Sequence, residues 1–216
     1  MRIDIFSDTV CPWCYLGKRR FELALRQRPA LEPRIAWRPF ELNPDLPSEG
    51  VERTWYLANR VGDPKAFADA QKALMALGET VGIGFRFDLI ERIPNTRRSH
   101  LLIAHAGRLG LQSQVKERLL RGYFEEGIDI GDVDELVRLG AEVGLSEYET
   151  RSVFVLRLGH DALIAAERHA STLGFNGVPT FVFDGQYSVS GAQETEVLVR
   201  VLDQVAGLAA TREAEA

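Results

Sequence analysis

Apolar positions along this chain follow two periods, and the period changes twice. Ile3, Ile5 and Phe6, with the turn-prone Ser7-Asp8 behind them, predict a short buried strand over residues 2–6. From Pro12 to about Arg28 the spacing turns helical. Leu16, Phe21, Ala24 and Leu25 share one face while Lys18, Arg19, Glu22 and Arg26 fall mainly elsewhere, and Pro29 and Pro33 end the run. Residues 34–40 predict a second strand, closed by Glu41-Leu42-Asn43-Pro44 and Pro47.

From residue 48 to about 156 helix follows helix. Asp63-Pro64 reads as an N-cap with proline at the first helical position, ahead of Phe67, Ala70, Leu74 and Leu77 at helical spacing. Asn95-Thr96 opens another helix that ends near Gly110, and a further one runs from about Leu111 to Phe124. Asp132 with Glu135, and Ser146 with Glu149, resemble capping boxes. Gly82-Ile83-Gly84 reads as a plain turn.

After a helix over about 158–173 and a turn at 174–177, short strands return at Thr180-Phe181-Val182-Phe183 and 186–189, joined by Asp184-Gly185. Ser190-Gly191-Ala192-Gln193 leads into a closing helix from Glu194 to about Val205. The order is β-α-β, a helical block, then α-β-β-α. This predicts one α/β domain (1–47 and 157–208) interrupted by an all-helical insertion (48–156), with a frayed tail at 209–216.

Composition narrows the function classes. The chain has 216 residues, 45% of them hydrophobic, and a net charge of −5 from 26 Lys+Arg against 31 Asp+Glu. That is the mixture of a globular protein without the basic excess of a nucleic-acid binder. No apolar run approaches the roughly 20 residues that span a bilayer, and the start has no apolar signal region, so the expectation is a cytoplasmic protein without nucleic-acid or membrane partners.

The cysteines say more. There are two, Cys11 and Cys14, in one C-x-x-C. A disulfide scaffold needs several spread pairs, and a zinc site needs four ligands where the first histidine is His100, so no metal is expected. A redox pair or two inert thiols remain. Cys11 lies between a strand end and a helix start, where free N–H groups favour an anion and draw a thiol below its free pKa of about 8.5. Pro12 suits the first turn, and Cys14, one turn on, is placed to resolve a mixed disulfide.

Cys11-Pro12-Trp13-Cys14-Tyr15-Leu16-Gly17 after the first strand, and Gly177-Val178-Pro179-Thr180-Phe181-Val182-Phe183 late in the chain, resemble the thioredoxin superfamily. The resemblance is closer to its DsbA/FrnE-like branch, echoed in residues 39–44, 95–100 and 190–193, and it covers almost the whole chain. It implies a thioredoxin fold with a large helical insertion and a thiol–disulfide oxidoreductase acting on protein or small-molecule thiols and disulfides. Cys11 would be the exposed nucleophile, Cys14 the resolving thiol, and Pro179 a cis-proline packed against them. Val178 would offer backbone groups to substrate, and Trp13 would either form a docking surface or pack on the insertion.

Departures from the family pattern concern protons and potential. The buried acid expected six residues before the first cysteine is Ile5 here; Asp4 should point away and Asp8 reads as turn, leaving Glu22, His100 or water to take the Cys14 proton. His105, His160 and His169 read as ordinary surface or core residues. Trp13 stands where DsbA has a histidine. The expected potential therefore lies between the roughly −120 mV of DsbA and the roughly −270 mV of thioredoxin.

No bound cofactor is implied, with glutathione the one co-substrate the architecture offers. Asn43 and the helix-leading Gly191, Ala192 and Gln193 are the candidates to hold its carboxylate. Related glutathione-dependent transferases and chromene-carboxylate isomerases define a second reading, action on a small aromatic compound. A holdase-like binding protein is the third.

Overall fold

The protein is described by a computed structural model covering residues 1–175 and 177–215, the side chains of 171 and 209–215 excepted. β1 (Arg2–Ser7) lies inside a four-stranded sheet of order β2-β1-β5-β6. β2 (Arg34–Pro39) runs parallel to it; β5 (Thr180–Phe183) and β6 (Tyr187–Ser190) extend the sheet antiparallel. The register sets Ile5 between Trp37 and Phe181, and Ile3 between Ile35 and Phe183. Alternation across the pleat sends Ile3, Ile5, Phe181 and Phe183 to one face. There α1 (Pro12–Arg26) and α9 (Thr195–Glu215) cover them: Phe21 meets Phe181 at 5.2 Å between ring centroids, and Leu198 and Leu202 are fully buried in the same cluster. Each such side chain contributes about 1.5–3 kcal/mol. On the opposite face α8 (His160–Thr172) lies beside β2, and its Ala166 and His169 share a cleft with Phe6 and Val182.

The chain between β2 and α8 forms the helical insertion. It holds α2 (Arg53–Arg60), α3 (Pro64–Glu79), α4 (Arg97–Gly107), α5 (Gln112–Glu126), α6 (Val133–Glu142) and α7 (Glu147–Val155). The caps read from sequence form. Asp63 accepts from the N–H of Lys65 and Ala66, Asp132 from Glu135 and Ser146 from Glu149, each contributing about 1 kcal/mol. The insertion also carries a two-stranded ribbon, β3 (Val51–Glu52) against β4 (Arg92–Ile93). Strands of two residues carry no readable period, so the sequence does not announce them.

An aromatic cluster joins the two parts. Tyr15 of α1 lies edge-on to Phe85 at 6.0 Å and stacked on Phe124 at 6.1 Å, while Phe85 stacks on Phe87 at 5.0 Å. Around it Lys18, 2% exposed in its side chain, pairs with Glu22 and Glu117. The core is therefore continuous from the sheet into the insertion.

At the C-terminus α9 runs to Glu215, beyond the expected end near Val205 and through the tail expected to fray; Ala216 lies outside the described residues. So does Asn176 of the expected 174–177 turn. Among the described residues no helix is long and apolar enough to cross a membrane.

Two left-handed glycines give a paired stability test. Gly127 (φ +71°) closes α5, and a Cβ there would sit 2.5 Å from the Leu89 carbonyl oxygen. Gly144 (φ +97°) has nothing within 4 Å of the same position. Alanine at Gly144 is expected to cost only backbone strain, about 1–2 kcal/mol. Alanine at Gly127 adds the clash and is expected to cost at least ~2 kcal/mol more, a further fall of about 4–8 °C in Tm. Thermal melts giving equal losses would show that the Leu89 contact does not constrain this corner.

Candidate active site

Cys11 ends the loop that leaves β1 and is the N-cap residue of α1, with extended backbone (φ −92°, ψ 110°) and Pro12 directly after it. The helix closes at once: Cys14 and Tyr15 donate their N–H groups to the Cys11 carbonyl at 3.0 and 3.3 Å. Cys14 therefore lies one turn inside. Opposite, the Val178–Pro179 peptide is cis, as the sequence leads one to expect, and the Cys11 Sγ lies 3.7 Å from the Val178 carbonyl oxygen. Pro179 is held by its own neighbours. Its carbonyl accepts from Gly191 at 2.7 Å, and α1 approaches so closely that a Cβ on Gly17 would meet the proline ring at 2.8 Å.

Both sulfurs are buried, Cys11 at 4% and Cys14 at 1% exposure, which corrects the expectation of an exposed Cys11. Access comes through a cavity of about 550 Å³ that Cys11 lines and Cys14 does not. Pro12, Trp13, Asn43 and Val178 line it too, and side chains of α2, α3 and α5 close it. Trp13, 41% exposed, stands in the cavity lining together with residues of the insertion.

The electrostatics also correct an expectation. Hydrogen bonding to Cys14 and burial push the Cys11 thiol well above its ordinary pKa. For Cys14 burial acts in the same direction, but the Cys11 thiol, the charge of Lys116, Ser7 and the Asp8 amide outweigh it and bring the pKa down. Of the pair Cys14 is thus the more readily ionised, and its ionisation suppresses that of Cys11. The helix start was expected to favour the charge on Cys11. The inner sulfur is favoured because it accepts the Cys11 hydrogen bond and feels the charge of Lys116.

That cation belongs to a cluster the sequence reading did not assemble. Asp8, expected in an ordinary turn, is fully buried; its carboxylate accepts from the Thr9 N–H at 2.6 Å and the Leu42 N–H at 2.7 Å. Burial alone would raise Asp8, but His100, the Leu42 amide and Lys116 bring it below its ordinary value. His100, 3% exposed, points Nε2 at Asp8 Oδ1 from 3.3 Å without a formed hydrogen bond. Lys116, 1% exposed, sits with its Nζ 5.7 Å from the Trp37 ring centroid. Burial lowers it to about 8, opposed by Cys14, Asp8 and Cys11. Ser7, His100 and Lys116 border one cavity of about 20 Å³, enough for about one water. A signal for Lys116 was present: it occupies the same helical stripe as the buried Leu119, Leu120 and Tyr123, where a lysine is out of place.

The remaining candidates divide. Asn43 lines the cavity, its Oδ1 accepting from the Tyr56 hydroxyl at 3.1 Å. His100 lies behind the cysteines and not in the cavity. Glu22 is engaged by Lys18 and Arg19. Gly191, Ala192 and Gln193 do not line the cavity; the amides of Gly191 and Gln193 donate to Pro179 and Gly191, and the Ala192 carbonyl accepts from Arg20. The Gly191 and Gln193 amides, expected to face a carboxylate, are thus engaged within the loop, that of Gly191 bracing Pro179. Asp4 points away from Ile5, as expected, onto Arg2 and Arg38. Among the described residues no group of three or more His, Cys, Asp or Glu side chains is placed to hold a metal ion.

Comparison with known proteins agrees with the geometry. Residues 2–203 match the family model of the DSBA-like thioredoxin domain. A probable DsbA oxidoreductase from Streptomyces coelicolor is 34% identical, with a TM-score of 0.86 over 96% of this chain and 90% of that one. The uncharacterized protein YwbO of Bacillus subtilis is 28% identical over 94% of this chain and 96% of its own length. The cytosolic disulfide reductase DsbM from Pseudomonas aeruginosa, at 16% identity over 99% of this chain and 100% of its own, shares the fold with a TM-score of 0.67. A C-x-x-C pair in this fold supports a thiol–disulfide redox role. The chain belongs to the DsbA-like thioredoxin domain family.

Proposed function

We propose that this protein is a cytoplasmic thiol–disulfide oxidoreductase or isomerase of the FrnE-like branch, using Cys11 as nucleophile and Cys14 as resolving thiol. In this reading residues 1–47 and 157–208 carry the redox pair, and the insertion, 48–156, closes the substrate side. One observation carries it: Cys11 sits at a helix N-cap, 3.7 Å from the Val178 carbonyl before the cis-proline, with Cys14 directly behind. A location in a reducing compartment fits a chain whose two cysteines form one C-x-x-C.

In the reducing direction the Cys11 proton passes to Cys14 along their hydrogen bond, and the resulting Cys11 thiolate, on the one cysteine of the pair that lines the cavity, attacks. The substrate S–S bond breaks, one substrate sulfur leaves as a thiol, and a mixed disulfide to Cys11 forms. Cys14, now a thiol, gives up its proton through solvent to the departing substrate sulfur, and the charge of Lys116 and the Ser7 hydroxyl favour the thiolate left behind. Cys14 then attacks the Cys11 sulfur, the second substrate thiol departs, and two electrons have moved from the dithiol to the substrate. Oxidation of a substrate dithiol is the same path reversed.

Insulin reduction is expected in the wild type and lost in Cys11→Ser, while Cys14→Ser accumulates a mixed disulfide on Cys11. An alkylating reagent is expected to label Cys11 first because of access, with a rate whose pH dependence follows the shared ionisation of the pair. Faster labelling of Cys14, read by mass spectrometry, would reverse the roles. Full insulin reduction by Cys11→Ser would leave a binding protein as the better account.

Lys116 gives a second test. Replacement by methionine removes the buried cation and is expected to raise the apparent thiolate pKa by about one unit or more, roughly 1.4 kcal/mol or more, read from thiolate absorbance. Arginine at the same position should keep part of the effect. An unchanged pKa in a folded Lys116→Met protein would remove Lys116 from the redox centre.

A further inference from the structure

The wall of the cavity in front of Cys11 has a charge pattern that thiol chemistry alone leaves unexplained. Trp13, Tyr56, Phe67, Phe87, Tyr123 and Phe124 line it among aliphatic side chains, so the wall is apolar and rich in aromatic rings. Among the described residues one charged side chain, Arg53, lines it, and no Asp, Glu, Lys or His does. Arg53 is half-buried and opens α2. Its position is held from behind: Glu52 pairs with Arg92 across the β3–β4 ribbon, and the Arg53 N–H donates to the Glu91 carbonyl at 2.8 Å.

The neighbouring arginines are neutralised. Arg60 pairs with Asp45, Arg92 with Glu52 and Arg97 with Glu41. Among the described residues no carboxylate lies within ion-pair distance of the Arg53 guanidinium, and the acid next to it, Glu52, is engaged by Arg92. A guanidinium against an aromatic wall gives up part of its hydration, and a planar carboxylate restores it through two parallel hydrogen bonds. A phosphate would call for a second cation, which the lining does not hold. The volume, about 550 Å³, falls within the roughly 300–1,000 Å³ typical of small-molecule sites.

We infer that this cavity selects low-molecular-weight disulfides that combine an aromatic or apolar body with a carboxylate, the body filling the aromatic wall and the carboxylate pairing with Arg53. The inference rests on the reading of Cys11 as nucleophile. The chemistry is the reduction already described: the substrate S–S bond breaks, two electrons pass from the cysteine pair to the substrate sulfurs, which leave as thiols with the pair's remaining proton and one from solvent, and a Cys11–Cys14 disulfide forms.

Two aromatic disulfides separate charge recognition from thiol reactivity. Reduced protein is mixed with the dithiobis-nitrobenzoate dianion, which carries carboxylates, and with neutral dithiodipyridine, and thiol release is followed. Arg53→Gln is expected to slow the dianion about tenfold or more, the scale of one charge-assisted pair, and to leave dithiodipyridine within about twofold. Arg53→Lys should recover part of the loss. Arg60→Gln removes an exposed cation from the same helix and should change neither rate by more than about twofold, which separates a local pair from long-range steering. No loss with the dianion, an equal loss with both reagents, or an Arg60→Gln effect matching that of Arg53→Gln would each overturn the assignment. Failure of the underlying reading looks different: Cys11→Ser would then react as fast as wild type with both reagents.

Discussion

A thiolate placed in a protein interior needs a positive charge within the same low-dielectric region. Here that charge is Lys116, and much of the site is arranged around it. The lysine comes from α5 of the insertion, the cysteines from the first turn of α1, and the counter-acid Asp8 from the loop between. The charges of the three act on one another. Lys116 is buried against Trp37 of β2, Asp8 accepts from the amides of Thr9 and Leu42, and His100 of α4 faces Asp8. The insertion is thereby part of the redox centre and not a separate lid beside it.

The same dependence extends outward. The aromatic cluster of Tyr15, Phe85, Phe87 and Phe124 locks α1 to the insertion, so the helix that presents Cys11 also sets the wall of the cavity. On the other side Gly17 lets α1 lie flush on Pro179, and the loop at Gly191 holds that proline from behind. Among the described residues Cys11 is thus reached through a recess whose shape and charge the insertion helps to determine. This is why its low exposure is compatible with reactivity toward molecules that fit the recess.

Much of this was legible in the chain itself. Proline positions, caps and the change of hydrophobic period located the sheet strands and the capped helices, because each signal is local. The motif pair at 11–14 and 178–179 located the cysteines and the proline loop. What escaped was relational. Asp8 looks like a turn residue until Leu42 and His100, far along the chain, close around it. Lys116 breaks its helix's apolar stripe, yet its partner sulfur is a hundred residues away in sequence. Arg53 carries no motif, and its meaning depends on which neighbouring acids are already taken. Gly191, Ala192 and Gln193 were legible as a helix-leading loop, but not as a loop whose Gly191 amide braces Pro179.

The central claim is that Cys11 and Cys14 form a reversible dithiol whose thiolate is held by one buried cation, without the histidine between the cysteines that DsbA carries. The most direct measurement is the reduction potential of the pair, equilibrated in glutathione buffers of graded ratio and read by the fraction alkylated. A value between about −270 and −120 mV is expected; a couple at about −190 mV would be held mainly reduced by a glutathione pool at about −280 mV. A potential more negative than thioredoxin's, or a pair that forms no reversible disulfide, would contradict the account.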